Sequence, residues 1–123
     1  MHICITGATG FIGSHIARRL VAAGHDLRLL TRASSDLGAI DGIDFDRTIG
    51  DLGDGSGLAD ACRDVDMVVH VAAMTGSADP GRFHVVNGLG TQALTVAASR
   101  AGVRRFLYIS SLAALGHSAV PQA

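Results

Sequence analysis

Three glycines at positions 7, 10 and 13, in the opening run MHICITGATGFIG, are the residues whose spacing most directly implies chemistry. Ile3, Cys4, Ile5 and Thr6 before them are apolar or β-prone, and an apolar run with helical spacing follows. A buried strand that turns sharply into a helix leaves backbone N–H groups unpaired at the helix start. Those donors and the positive end of the helix dipole bind an anion, most often a phosphate. Glycine suits such a loop because a Cβ would hold the backbone away from the ligand and forbid positive φ. The same glycines could serve a plain βα turn, but a strand before and a helix after favour the phosphate cradle. A P-loop would need a lysine after the last glycine, and the chain contains no lysine. That alternative is excluded.

Further candidates fall at the carboxyl ends of expected strands. Arg32 lies about twenty residues past the glycine loop, where an NAD site places a carboxylate on the ribose 2′-OH. An arginine there can instead pair with a 2′-phosphate through its planar fork, or it can be a solvated loop residue. With the carboxylate absent, the balance favours NADP over NAD. Asp51 could accept a hydrogen bond from an adenine amino group while Leu52 packs on the ring. Asp51 could equally be a helix N-cap, a role for which Asp54 competes. Ala72 and Ala73 are small enough to let the backbone approach a ribose. His70 reads as a packed strand histidine rather than a catalytic base.

The elements that must position these residues follow from periodicity. In residues 11–24, Ile12, Ile16 and Leu20 recur every four positions beside Ala17 and Val21, which predicts an amphipathic helix closed by Gly24. Residues 26–31 read as a second strand, 33–42 as a connection with room for a short helix, and 44–49 as a weaker third strand. Residues 54–63 predict a short helix with Leu58, Ala61 and Cys62 on its apolar face. Residues 65–72 are almost continuously apolar, as in a strand covered on both faces. A loop at 75–81 precedes a long helix over 83–101, with Val85, Val86, Leu89, Ala93, Val96 and Ala97 inward and Gly102 at its end. Residues 105–109 predict a fifth strand, and 110–123 have loop character. Alternating strands and helices require parallel pairing with right-handed crossovers. The expected fold is therefore α/β, a Rossmann-like doubly wound parallel sheet with its first strand central and its ligand crevice at the strand carboxyl ends.

The 123 residues make one domain. A net charge of −1 gives no reason to expect nucleic acid or an anionic membrane as partner, and no apolar run approaches the roughly 18 residues that span a bilayer. The pairs Arg18–Arg19 and Arg104–Arg105 read as a solvated helix face or strand edge. Cys4 and Cys62, without a secretory signal, predict buried thiols in a reducing, cytoplasmic setting. The histidines show no metal-ligand spacing, so no metal is expected.

TGATGFIG near the N-terminus, GDL at 50–52, HVAA at 70–73, VNGLGT at 86–91 and YISSLAALG at 108–116 occur in that order. Together they resemble the extended short-chain dehydrogenase/reductase family, in its NAD(P)-dependent epimerase/dehydratase and dihydroflavonol-reductase-like branch. The resemblance implies that Gly7, Gly10 and Gly13 hold a pyrophosphate, with Ala8, Thr9, Phe11 and Ile12 lining the turn. It implies further that Asp51 and Leu52 border the adenine, Ala72 and Ala73 face the ribose nearer the nicotinamide, and Asn87 braces the active-site backbone. Ser111, five residues before Gly116, falls where the family has its catalytic serine or threonine.

One departure stands out. The family completes its site with a Tyr-x-x-x-Lys pair on the next helix, where the lysine lowers the tyrosine pKa. Here the single tyrosine, Tyr108, has Leu112 four residues on. The expectation is the N-terminal, cofactor-binding part of an oxidoreductase, epimerase or dehydratase acting on a sugar nucleotide or other hydroxyl/carbonyl substrate, without turnover by this chain alone. A non-catalytic NADP(H) sensor or partner module is the alternative. An uncovered fifth strand would favour self-association.

Overall fold

The computed structural model describes residues 1–76 and 79–116; the calls for loops at 77–78 and 117–123 lie outside the described residues. Five strands, β1 (His2–Thr6), β2 (Asp26–Thr31), β3 (Asp46–Ile49), β4 (Met67–His70) and β5 (Arg105–Tyr108), form one parallel sheet in the order β3-β2-β1-β4-β5. The first strand is central, as the sequence predicts. Ile3, Cys4 and Ile5 are fully buried because both faces of β1 are covered. Ile3 and Ile5 join the layer beneath α1 (Phe11–Ala22), with Ala17, Leu27, Leu29 and Val69. Cys4 joins the opposite layer beneath α2 (Leu58–Cys62) and α4 (Gly90–Arg100), with Leu58, Cys62, Val68, Leu94 and Ala98. This alternation is the two-residue period of a strand.

The helix ends follow local chemistry. At α1, Gly24 N–H donates to Val21 O (2.9 Å) and His25 N–H to Leu20 O (3.1 Å), the paired bonds of a Schellman motif. The close of α4 repeats them, with Gly102 on Ser99 and Val103 on Ala98. Arg18 and Arg19 lie on the exposed face of α1, as expected, and the Arg18 guanidinium also donates to the Ala39 and Asp41 carbonyls (2.9 Å each). Arg104 pairs with Asp66 at 2.8 Å.

Three expected elements change. The helix expected at 54–63 begins only at Leu58, since Gly57, in the left-handed region (φ 72°), stands at its N-cap. Neither Asp51 nor Asp54 caps it: Asp51 accepts from Gly53 N–H (2.7 Å) and Asp54 from Ser56 N–H (2.8 Å), each closing its own turn. The strand expected over 65–72 is only Met67–His70. Its partner β1 ends at Thr6, opposite His70, and beyond that pair the chain leaves the ladder.

The long helix expected over 83–101 is three segments: α3 (Pro80–Phe83), a π-helical stretch (His84–Leu89) and α4. Each wide turn takes up about one extra residue, which rotates the following face by roughly 100°. Gly90, Leu94 and Ala98 therefore face the core, while Val85, Leu89 and Val96 are exposed and Val86, Ala93 and Ala97 pack at its margin. Among the described residues, no helix is long and apolar enough to cross a membrane.

Candidate functional site

The glycine loop sits at the carboxyl edge of the sheet. Gly7 has φ 76°, and a Cβ there would lie 2.5 Å from Ala72 N, so the loop rests directly on the backbone that leaves β4. A Cβ at Gly13 would lie 2.0 Å from Gly7 O, so α1 can approach β1 this closely only with glycine at that position. Gly10 differs from both. Its backbone is extended, and a Cβ there would meet only Gly7 O, at 3.4 Å. Gly10 is the N-cap of α1, yet no side chain caps the helix and its first turn carries no acid. Phe11 and Ile12 are exposed. The positive end of a twelve-residue helix thus opens to solvent without an internal anion, an arrangement that fits a pyrophosphate. Ala8, expected to line the turn, is instead buried in the core beside Ala17.

Beyond Gly7, a polar chain crosses the sheet. The Ala72 N–H donates to Thr6 Oγ1 (3.2 Å), which lies 2.6 Å from His70 Nδ1, and His70 Nε2 lies 2.8 Å from Thr91 Oγ1. The Thr6 hydroxyl, accepting from Ala72, can donate to Nδ1, and the Nε2–H then donates to Thr91. His70 is wholly buried and stacks on the Tyr108 ring at 5.2 Å and 19°. Burial pushes its imidazole down to about 4, so it is neutral at physiological pH and acts as a fixed hydrogen-bonding strut. Its reading as a packed strand histidine agrees with this geometry. Asn87, on the π-helical stretch, clamps Met74 from both sides: Oδ1 accepts from Met74 N–H (2.7 Å) and Nδ2 donates to Met74 O (3.0 Å). Asn87 thereby holds the segment that carries Ala72 and Ala73 out of β4.

On the other flank, Arg32 follows the last residue of β2, exposed, and its guanidinium has no hydrogen-bond partner among the described residues. Arg47, which the sequence did not single out, reaches over from β3: Nε donates to Thr31 Oγ1 (2.8 Å) and Nη2 to Arg32 O (3.0 Å). Asp51 lies just beyond β3, partly exposed, while Leu52 packs in the core with Leu58 and Leu94 and keeps only a small exposed surface to offer a ring. A Cβ at Gly90 would lie 2.7 Å from Leu52 O, which shows how tightly α4 presses this loop inward.

Ser111 follows β5 at the same edge of the sheet. It is exposed, and its hydroxyl accepts from Ala113 N–H (3.2 Å) as the cap of the short turn Leu112–Leu115. The structure thus gathers Gly7, Thr9, Gly10, Gly13, Ala72, Ala73 and Asn87 about one loop, Arg32 and Asp51 toward the β3 side, and Ser111 toward the β5 side. A groove of about 700 Å³ between α2 and α4 shares none of these residues.

Comparison with known proteins agrees with this fold. A family model described as the NAD dependent epimerase/dehydratase family matches residues 3–123. The chain is 40% identical over 118 residues to sterol demethylase protein B of Methylococcus capsulatus, covering 94% of this chain and 36% of that protein. It is 36% identical over 114 residues to a putative dihydroflavonol 4-reductase of Synechocystis, covering 91% of this chain and 33% of that one. Among solved structures, a short-chain dehydrogenase/reductase superfamily protein from Agrobacterium tumefaciens with bound NAD superposes with a TM-score of 0.74 at 36% identity, over 90% of this chain and 33% of that one. The chain thus spans about a third of the length of these relatives.

Proposed function

Because the chain belongs to the NAD dependent epimerase/dehydratase family, we propose that it is the dinucleotide-binding portion of an oxidoreductase, epimerase or dehydratase that acts on a hydroxyl or carbonyl substrate such as a sugar nucleotide. The observation that carries this reading is the uncapped, acid-free start of α1 beside Gly10, seated against the Ala72 backbone at the carboxyl edge of the sheet. The N–H groups of that first turn hold the pyrophosphate, and Asp51 borders the adenine. Ala72 and Ala73, kept in place by Asn87 and the Thr6–His70 chain, face the ribose nearer the nicotinamide. When bound, the nicotinamide supplies or takes up hydride. The Ser111 hydroxyl, which still has its hydrogen to give, bonds the substrate oxygen at the carbon that exchanges it.

NADP is the preferred dinucleotide in this reading, because Arg32 stands where a carboxylate would select the ribose 2′-OH. Turnover requires the Tyr-x-x-x-Lys pair, which this sequence does not contain, so this chain binds without turning over. The exposed Leu107, Tyr108, Leu112 and Leu115, around a β5 that among the described residues pairs with β4 alone, support self-association through that side.

Calorimetric titration of the 123-residue chain with NADP⁺ and NAD⁺ tests the central claim, and Gly10→Asp separates binding from folding. The aspartate would cap α1 and raise stability by about 0.5 kcal/mol. Its charge would also oppose a pyrophosphate and weaken dinucleotide affinity about a hundredfold. Undiminished binding by this variant would overturn the assignment.

A further inference from the structure

Arg47 pairs in register with Leu29, two residues short of the end of β2. To reach Thr31 Oγ1 and the Arg32 carbonyl, its side chain must lean along the sheet by about 7 Å, toward the carboxyl edge. Two of its three guanidinium nitrogens are thereby used, one on the last residue of β2 and one on the backbone that follows it. Nη1 has no protein acceptor among the described residues. The main chain of Thr31 is fixed as well, its carbonyl accepting from Gly50 N–H at 3.0 Å.

Of the arginines nearby, Arg63 pairs with Asp60, and Arg28 turns away from the carboxyl edge to donate to the Asp60 and Arg63 carbonyls. Arg32 and Arg47 pair with no carboxylate among the described residues. Asp36, the next acid along the chain, turns to cap Gly38 N–H at 2.9 Å. Two unneutralised arginines therefore converge on one strand end, one free and the other bonded to its neighbour's backbone. A phosphomonoester dianion answers both charges and both planar forks, whereas a bare ribose hydroxyl answers neither.

We infer that Arg47 is a positioning and specificity residue: it fixes the Arg32 backbone and adds the second positive charge that selects a ribose 2′-phosphate over a 2′-hydroxyl. This rests on the NADP reading above, and the two can fail separately. Kd values for NADP⁺ and NAD⁺ are measured on the 123-residue chain carrying Arg47→Ala, Arg47→Lys, Thr31→Val or Arg32→Ala, with a urea melt of each variant. Arg47→Ala lowers the NADP⁺:NAD⁺ preference about tenfold and leaves NAD⁺ affinity as it was. Arg47→Lys keeps the charge but loses the fork, so its loss is smaller. Thr31→Val removes one anchor and costs about two- to threefold; with Arg47→Lys it decides the matter should Arg47→Ala not fold. Equal loss for both dinucleotides would make Arg47 merely structural and overturn the inference. So would an unchanged preference in the Arg47 variants while Arg32→Ala lowers it. An unchanged preference in Arg32→Ala would remove the NADP reading and this inference with it.

Discussion

The turn from β1 into α1 and the segment following β5 lie on the same edge of one sheet, yet they are built differently. Around the first, Ile3, Cys4 and Ile5 have no exposed surface, and Gly7 and Gly13 admit no side chain. At the second, Leu112 and Leu115 are more than 80% exposed, and the Ser111 hydroxyl serves its own turn. The contrast teaches that the glycine turn is preorganised by its own backbone, whereas the Ser111 segment is not, which on the proposed reading separates dinucleotide binding from substrate chemistry. A group that must bind the same way in every turnover can be set by backbone alone. Substrate activation needs side chains brought together from several elements.

The contrast can be broken at the first region most forcefully by Gly13→Ala. Its Cβ would meet the Gly7 carbonyl, a backbone atom that cannot step aside, so a loss of about 3 kcal/mol in urea denaturation is expected, together with dinucleotide binding. A wild-type melt would mean that α1 can move away from β1 at little cost.

His70 joins the two regions, bonded to Thr6 on one side and stacked on Tyr108 on the other, and pH probes that join. Its imidazole titrates near 4 in the fold, against about 6.5 for an unstructured histidine. The native state is therefore fully favoured above about pH 6.5, loses that advantage as pH falls toward 4, and loses no more below it. Urea midpoints at intervals across this window should slope for the wild type and flatten for His70→Asn. Parallel profiles would mean that the imidazole is not held neutral. The smallest effect belongs to Ser111→Ala, which removes a local cap worth about 0.5–1 kcal/mol at an exposed turn. Dinucleotide affinity should not change; a drop would place the β5 segment inside the binding half.

How far the sequence revealed these regions depends on the range of the interactions involved. The strand, glycines and helix of residues 2–22 were legible because each neighbour constrains the next. Asn87 was found only through family resemblance, and the π-helical turns around it left no periodic trace, so the phase of α4 was misread. Leu52 looked available because nothing local shows that Gly90 lets α4 press its loop into the core. Arg47 resembled any exposed strand arginine until the register of β2 and β3 placed it two residues from the end of its neighbour. The Thr6–His70–Thr91 chain likewise joins three distant segments, which no spacing rule connects.

Cys4 occupies the middle strand with no solvent contact, and burial together with the neighbouring Cys62 pushes its thiol up to about 12. Only the thiolate reacts at an appreciable rate, so alkylating reagents and mild oxidants are excluded from the folded chain by both access and ionisation. Modification of Cys4 must wait for the sheet to part, which makes its labelling rate a built-in clock for large-scale opening. Dinucleotide bound at the far end of the same strand should slow that clock in proportion to its occupancy.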